Sequence, residues 1–199
     1  MNKGKIQLPI LLGIILAAFM AIGGAMVIYQ AEKSRSSIPE LWTVPEFEFT
    51  ERSGEAFGLD DMKGKINVVD FIFTNCPDIC PVMSARMSEL YRYYSEYDFV
   101  RFVSISVDPQ RDTLETLRAY AGSWGADDDR WVFLRAPIDE VVRVMEGGFK
   151  LTALELPMGH SNRFVLVDKN GVIRSYHDSF DDADLEALKG NIKQLAKGM

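Results

Sequence analysis

Cys76 and Cys80 are the two cysteines of the 199-residue chain, and they stand four positions apart. Two sulfurs at this spacing on a tight loop can close a disulfide or bind one soft metal ion together. The structural alternative is a pair of buried cysteines that act only as small hydrophobic side chains. Pro77 and Pro81 directly follow the cysteines and favour redox or metal chemistry, because they place the pair at the junction of a strand and a helix.

The elements around the pair decide how the sulfurs are presented. The apolar run 68–73 predicts a buried strand that ends at Thr74 and delivers Cys76 to its carboxyl end, where open α/β sheets place their sites. Pro81 suits the first position of a helix, with Cys80 as its cap, so neither cysteine is expected inside a helix. Cys80 would then face the positive end of the helix dipole, which favours a thiolate.

The rest of the sequence predicts an α/β domain. An amino-terminal β-hairpin is expected between Phe47 and Phe57, before the first buried strand. Further strands are expected at 101–107, 131–134, 163–168 and 172–176, and further helices after Asp112 as a cap, over 140–146 and over 182–197. The order βαβαβαββα, with helical crossovers between parallel strands, predicts a thioredoxin-like sheet with an amino-terminal hairpin extension.

Of the two histidines, only His160 falls on a loop expected to face the cysteines. In a thioredoxin-like sheet, the loop before the strand near Arg163 packs beside the loop after the first buried strand. Two thiolates and one imidazole form a soft set that suits Cu(I) and leaves Cu(II) accessible, whereas a closed zinc site normally needs a fourth ligand. His177 lies at the far end of the next strand and is interpreted as a structural histidine.

An uncharged run at residues 6–31 follows Lys3 and Lys5. At about 1.5 Å per residue it spans the roughly 30 Å hydrocarbon core of a bilayer, and its length favours a retained single-pass anchor over a cleaved signal peptide. The small residues at 21–25 keep cleavage open as the alternative. The basic amino end predicts a bacterial cell membrane protein with a cytoplasmic segment (1–5), an anchor (6–31), a linker (32–41) and an extracytoplasmic domain (42–199).

The charge of the chain is −7, and from residue 32 onward 20 basic residues stand against 29 acidic ones. An acidic domain of this kind does not bind nucleic acid through a basic surface. Outside the cytoplasm a close cysteine pair persists as a disulfide unless a metal or a reductant keeps it open. The redox state of the pair is therefore part of any mechanism.

Three segments occur in a specific order. They are F-T-N-C-P-D-I-C-P at 73–81, V-S-I-S-V-D-P-Q-R-D-T at 103–113 and G-H-S at 159–161. From residue 42 to the carboxyl terminus the chain resembles the Sco/SenC family of copper metallochaperones, and the predicted anchor is similar to the family's single amino-terminal span. The resemblance implies a site for copper, as Cu(I) or Cu(II), formed by Cys76, Cys80 and His160.

The resemblance also implies delivery of copper to subunit II of cytochrome c oxidase or of a related terminal oxidase, with a periplasmic copper donor as a further partner. It implies that Asp108 is an acidic residue near the site that influences copper handling. By itself the sequence gives Asp108 the role of a turn residue at a strand end. The family commonly has an acidic residue directly before the histidine, where this chain has Gly159.

The main alternative is a thiol–disulfide oxidoreductase, in which Cys76 attacks a disulfide of a partner and Cys80 resolves the mixed disulfide. Thioredoxin-type enzymes have two residues between their cysteines, whereas this chain has three. The spacing and His160 therefore favour metal binding, although both activities are compatible in one protein. A thiol peroxidase is disfavoured, because the sequence before Cys76 lacks the proline expected in that class.

Overall fold

The computed structural model describes residues 8–35, 38–77 and 79–199, and within the first range it describes the side chains of residues 12–27. The predicted cytoplasmic segment, residues 1–5, lies outside the described residues. So do residues 6–7 of the predicted anchor and residues 36–37 of the predicted linker. The chain divides into two units, of which the second is Ile38–Met199.

The first unit contains helix α1, Leu8–Arg35. Its side chains from Leu12 to Val27 are exposed, and they include the large apolar side chains of Phe19 and Met20. Across the described residues, no helix is both long and apolar enough to cross a membrane.

The second unit is built on one mixed sheet of eight strands in the spatial order β1-β8-β7-β4-β5-β6-β2-β3. The strands are β1 (Trp42–Thr43), β2 (Glu48–Glu51), β3 (Ala56–Gly58), β4 (Ile66–Ile72), β5 (Val100–Ser106), β6 (Trp131–Arg135), β7 (Arg163–Val167) and β8 (Val172–Asp178). The helices are α2 (Leu59–Met62), α3 (Ile79–Tyr93), α4 (Leu114–Ser123), α5 (Ile138–Val142), which continues as a π-helical segment (Arg143–Gly148), and α6 (Asp182–Ala196).

The central strand β4 explains where the core lies. All seven of its residues are buried, as expected for a strand that is covered by helices on both faces. It pairs in parallel with β5 and antiparallel with β7, and β5 pairs in parallel with β6. This arrangement is the predicted thioredoxin-like fold, and β2 and β3 form the predicted amino-terminal hairpin.

Strand directions bring the site loops to one edge of the sheet. The parallel strands β4 and β5 end at the same edge, so the segments after Ile72 and Ser106 are neighbours there. Because β7 runs antiparallel to β4, its first residue, Arg163, lies at that edge as well. The loop that carries His160 precedes Arg163 and is therefore placed beside the cysteines.

Two helix starts differ from the sequence prediction. Helix α3 begins at Ile79, so Cys80 lies in its first turn, and the prediction that neither cysteine sits in a helix is wrong for Cys80. The first four N–H groups of a helix have no intrahelical partner, so Pro81 fits in the first turn without the loss of a hydrogen bond. Helix α4 is capped by Thr113, whose side chain accepts a hydrogen bond from Thr116 N–H, and not by Asp112.

Candidate metal centre

Cys76, Cys80 and His160 come together at the carboxyl edge of β4, and their ligand atoms all lie within 4.8 Å of one another. The Sγ atom of Cys80 is 3.1 Å from Nε2 of His160, and the N–H of Cys80 donates to Sγ of Cys76 over 3.4 Å. Both cysteines are free thiols. Cys76 is 8% exposed, Cys80 is 0% exposed and His160 is 5% exposed, so little water reaches the three ligand atoms.

Burial controls the protonation of these groups before a metal binds. It raises the pKa of the Cys80 thiol, and the neighbouring Cys76 contributes in the same direction. The sequence predicts the opposite for Cys80, since the dipole of α3 favours a thiolate. In the structure, burial instead raises the pKa of this thiol. Burial also lowers the pKa of His160, which keeps its imidazole neutral and able to act as a ligand.

His160 is oriented by a backbone carbonyl. Its Nδ1 lies 3.2 Å from the carbonyl oxygen of Ser161, and because a carbonyl only accepts, Nδ1 carries the proton of the neutral ring. The lone pair of Nε2 is then directed at the Cys80 sulfur. Phe73 packs edge-on against the imidazole, with ring centroids 5.6 Å apart. A hydrogen bond from the second ring nitrogen is the usual way in which proteins fix a metal-binding histidine.

Gly159 is required by a close backbone approach. A Cβ atom at this position would lie 1.9 Å from the carbonyl oxygen of Leu154. The N–H of Gly159 donates to the carbonyl of Glu155, which closes the turn that leads into His160. The turn therefore excludes an acidic side chain at position 159, and the Ser161 carbonyl holds the imidazole instead.

Comparison with known proteins decides the family. The family model described as SCO1/SenC matches residues 36–197, which is most of the chain. The chain belongs to the SCO1/SenC family.

Three comparisons with Sco proteins illustrate the match. The SCO1 protein homolog of Bacillus subtilis is 28% identical over 164 residues, which cover 79% of this chain and 85% of that protein. The structure of BsSco, described as a Sco family member with a disulfide switch, is 28% identical with a TM-score of 0.72, covering 81% of this chain and 98% of that one. The structure of ScoI from Bradyrhizobium japonicum with copper bound is 25% identical with a TM-score of 0.64, covering 79% and 99%.

Asp108, the acidic residue that the Sco resemblance implies near the site, is buried and pairs with Arg111. Its Oδ2 accepts a hydrogen bond from the guanidinium of Arg111 over 2.9 Å, and its N–H donates to the hydroxyl of Ser106. Among the described residues, the group of clustered metal-ligand side chains contains the two cysteines and His160 and does not include Asp108. An influence of Asp108 on copper therefore stays a prediction.

Three methionines of α3 and of the histidine loop differ in their surroundings. Met83 and Met87 are fully buried on the inner face of α3 and pack in the core. Met158 precedes Gly159 in the histidine loop and is mostly exposed. Its thioether therefore belongs to the surface beside the site.

His177 has a structural environment, as the sequence indicates. Its Nδ1 lies 2.7 Å from a carboxylate oxygen of Asp184, and its Nε2 lies 2.8 Å from the hydroxyl of Ser175. Asn191 donates to the same hydroxyl, so the Ser175 proton is directed at Nε2 of the ring. Both ring nitrogens are thus occupied, and the contact with Asp184 joins β8 to α6.

Asp70 and Asp112 are polar residues near the site whose roles the sequence analysis missed. Asp70 is fully buried in β4, where Ser104 donates to its Oδ1 over 2.7 Å. Burial raises the pKa of Asp70 to about 7. An acidic residue within an apolar strand was the available signal for Asp70. The sequence predicts Asp112 as a helix cap, but its carboxylate points inward to Thr74 and Ser106.

Proposed function

We propose that this protein binds one copper ion through Cys76, Cys80 and His160 and delivers it to subunit II of cytochrome c oxidase or of a related terminal oxidase. The observation that carries the proposal is the convergence of two thiol sulfurs and one oriented imidazole nitrogen within 4.8 Å. This donor set is soft, low in coordination number and suited to Cu(I), and the imidazole also accommodates Cu(II).

The site chemistry follows from the burial of the ligands. Copper binds thiolates, so loading releases the thiol protons, and the raised pKa of Cys80 makes this release depend on the metal. The neutral His160 offers Nε2 without the loss of a proton, because its proton is on Nδ1. Cys76 is the more exposed of the two cysteines, so an incoming thiolate of the acceptor can replace it first as copper is passed on by ligand exchange.

The relatives support the choice of metal and acceptor. A related ScoI structure contains copper, and BsSco is described as a member of a family of cytochrome c oxidase assembly proteins. By this analogy the acceptor is the copper-carrying oxidase subunit, and a periplasmic copper protein is the donor. Asp108 is proposed to lie close enough to influence copper transfer through its charge, which Asp108→Asn tests by the rate of copper release.

A second function is favoured by the proximity of the two free thiols. In this reaction the Cys76 thiolate attacks a disulfide of the oxidase subunit and forms a mixed disulfide, which releases one partner thiolate. Cys80 then attacks the Cys76 sulfur, which leaves a Cys76–Cys80 disulfide and a partner reduced by two electrons. The disulfide switch described for BsSco supports this chemistry as a companion of copper delivery.

We also propose that residues 6–31 anchor the protein in the bacterial cell membrane, with the domain on the extracytoplasmic side. The support is the uncharged sequence after Lys3 and Lys5 and the exposure of its large apolar side chains, such as Phe19, which water alone would solvate poorly. Alkaline extraction of membranes tests this proposal: an anchored protein stays in the pellet, and a released one contradicts the anchor.

The direct test of copper binding is the metal content and the absorption spectrum of the purified, reduced protein after it is loaded with copper. One copper per chain is expected, with a sulfur-to-copper charge-transfer band for Cu(II) that disappears in Cys76→Ser. Copper delivery to the reduced oxidase subunit is then measured from changes in the absorption spectrum of that subunit. Retention of reductase activity together with unchanged copper affinity in His160→Ala would leave only the redox function.

A further inference from the structure

The carboxylate of Asp112 is fully buried between the end of β5 and the start of α4. It accepts hydrogen bonds from the N–H and the hydroxyl of Thr74, the latter over 2.6 Å, and from the hydroxyl of Ser106. All three contacts come from groups that can donate, so the carboxylate is satisfied in a place where an unpaired polar group would be costly.

Asp112 is not needed as a cap at the amino-terminal end of α4. Thr113 is the N-cap of that helix, and its hydroxyl accepts from the N–H of Thr116. The helix can therefore begin without the Asp112 side chain. The inward contacts of Asp112 connect two loops that are 38 residues apart in sequence, the one before the cysteines and the one after β5.

The contacts of Asp112 reach the cysteine loop, which is the segment between the end of β4 at Ile72 and the start of α3 at Ile79. Thr74 lies two residues before Cys76, and the N–H of Cys76 is bonded to the carbonyl of Phe73. The Cys76 sulfur in turn accepts the N–H of Cys80. A shift of Thr74 would therefore move the Cys76 sulfur relative to Cys80 and His160.

We propose that Asp112 is a positioning residue of the Cys76–Cys80–His160 site, which it serves by fixing Thr74 at the start of the cysteine loop. The proposal deepens the proposed function and rests on it for the copper measurement. Supporting residues that orient metal ligands typically change metal affinity by about 10- to 100-fold when they are replaced. A comparable loss is expected when the Asp112 carboxylate is removed.

The test compares Asp112→Asn with Asp168→Asn in the full-length, reduced protein. Asp168 is also a buried carboxylate, and it accepts from the N–H groups of Asn170 and Val172 and pairs with Arg174. It follows the end of β7, at the edge of the sheet opposite the cysteines, so it matches Asp112 in burial and differs from it in place and in having a guanidinium partner.

Three quantities are measured for each variant: the unfolding midpoint, the Cu(I) affinity by competition with a chromophoric chelator, and the midpoint potential of the metal-free dithiol in glutathione buffers. Both variants are expected to lose stability. Only Asp112→Asn is expected to lose about 10- to 100-fold in copper affinity and to shift the dithiol potential. Thr74→Val, which removes the hydroxyl that donates to Asp112 and keeps the side-chain shape, is the second variant and is expected to follow Asp112→Asn with a smaller change.

The outcomes separate this proposal from the proposed function. A native protein that binds no copper would contradict the proposed function, and the dithiol potential would then decide the role of Asp112. Unchanged potential and unchanged copper affinity in Asp112→Asn, with a loss of stability equal to that of Asp168→Asn, would overturn the positioning role. If Asp112→Asn does not fold, the same two readouts in Thr74→Val decide between the outcomes.

Discussion

The two histidines are buried to a similar extent but have different chemical surroundings. His160 is 5% exposed and His177 is 3% exposed. His160 uses Nδ1 for the Ser161 carbonyl and directs Nε2 at the Cys80 sulfur. His177 uses Nδ1 for Asp184 and Nε2 for Ser175.

The comparison shows that burial does not decide whether a histidine is available to a metal. The decisive property is whether one ring nitrogen still faces other soft ligands after the second nitrogen has fixed the ring. His160 meets this condition because its Nδ1 bonds to the Ser161 carbonyl while its Nε2 faces the Cys80 sulfur. The contacts of His177 connect β8 and α6, so its replacement is expected to affect stability.

The largest expected difference between the two histidines is in copper affinity. His160→Ala removes a ligand and is expected to weaken Cu(II) binding by more than about 100-fold, beyond the loss for supporting residues. His177→Ala is expected to leave the affinity unchanged, since its ring lies outside the group of clustered ligands. Competition with a calibrated chelator measures both. Equal losses in the two variants would contradict the difference drawn between the histidines.

The opposite order is expected for stability. His177→Ala leaves Asp184 and Ser175 without their ring partners and creates a cavity, so a loss of about 2–3 kcal/mol is expected. His160→Ala also creates a cavity, but its ring partners are a carbonyl and the Cys80 sulfur and not a carboxylate, so a smaller loss of about 1–2 kcal/mol is expected. Urea unfolding of the reduced, metal-free protein measures both values. A larger loss of stability for His160→Ala than for His177→Ala would contradict the structural role assigned to His177.

The stability of the fold near the metal centre should depend on pH through Asp70, a buried residue of β4. Asp70 has a pKa of about 7 in the folded protein, well above the usual value of about 3.9 in an unfolded chain. Between these values the folded state holds the additional proton, so the stability from Asp70 is fully present below pH 3.9 and is lost as pH rises toward 7.

Asp70→Asn has no such proton, so the native protein is expected to lose about 2 kcal/mol more than the variant between pH 5 and pH 8. Denaturant unfolding at several pH values measures this difference. Parallel pH profiles of the two proteins would show that Asp70 does not titrate in this range. His177→Ala is the control whose profile should retain the Asp70 contribution.

A smaller effect is expected at the turn that delivers His160. A methyl group at position 159 would meet the Leu154 carbonyl, so Gly159→Ala should displace the imidazole and weaken copper binding about tenfold. Gly190→Ala in α6 is the control, because its Cβ would meet no atom within 4 Å and alanine favours a helix by about 0.5–1 kcal/mol. Native copper affinity in Gly159→Ala would show that the turn can adjust.

The sequence predicts the parts of the site that depend on topology. The order of strands and helices is enough to bring His160 to the edge where Cys76 and Cys80 lie, because the directions of β4 and β7 fix which loops meet. The apolar run 68–73 likewise predicts a buried strand, and all seven residues of β4 are buried.

The sequence does not predict which contact a polar side chain makes when it has two possible partners. Asp112 has the spacing of a helix cap, but Thr113 takes that role, and the choice depends on donors that come from 38 residues away. The thiol of Cys80 has a helix dipole beside it, but its pKa is decided by burial that only the packed fold supplies. Gly159 has no side chain from which to infer its contact with the Leu154 carbonyl.

X-ray absorption at the copper edge of the loaded, full-length protein gives the most direct test of the site. We expect Cu(I) with two sulfur ligands and one nitrogen ligand, and the loss of the nitrogen signal in His160→Ala but not in His177→Ala. A spectrum with two sulfurs and no histidine nitrogen in the native protein, unchanged in His160→Ala, would contradict the account.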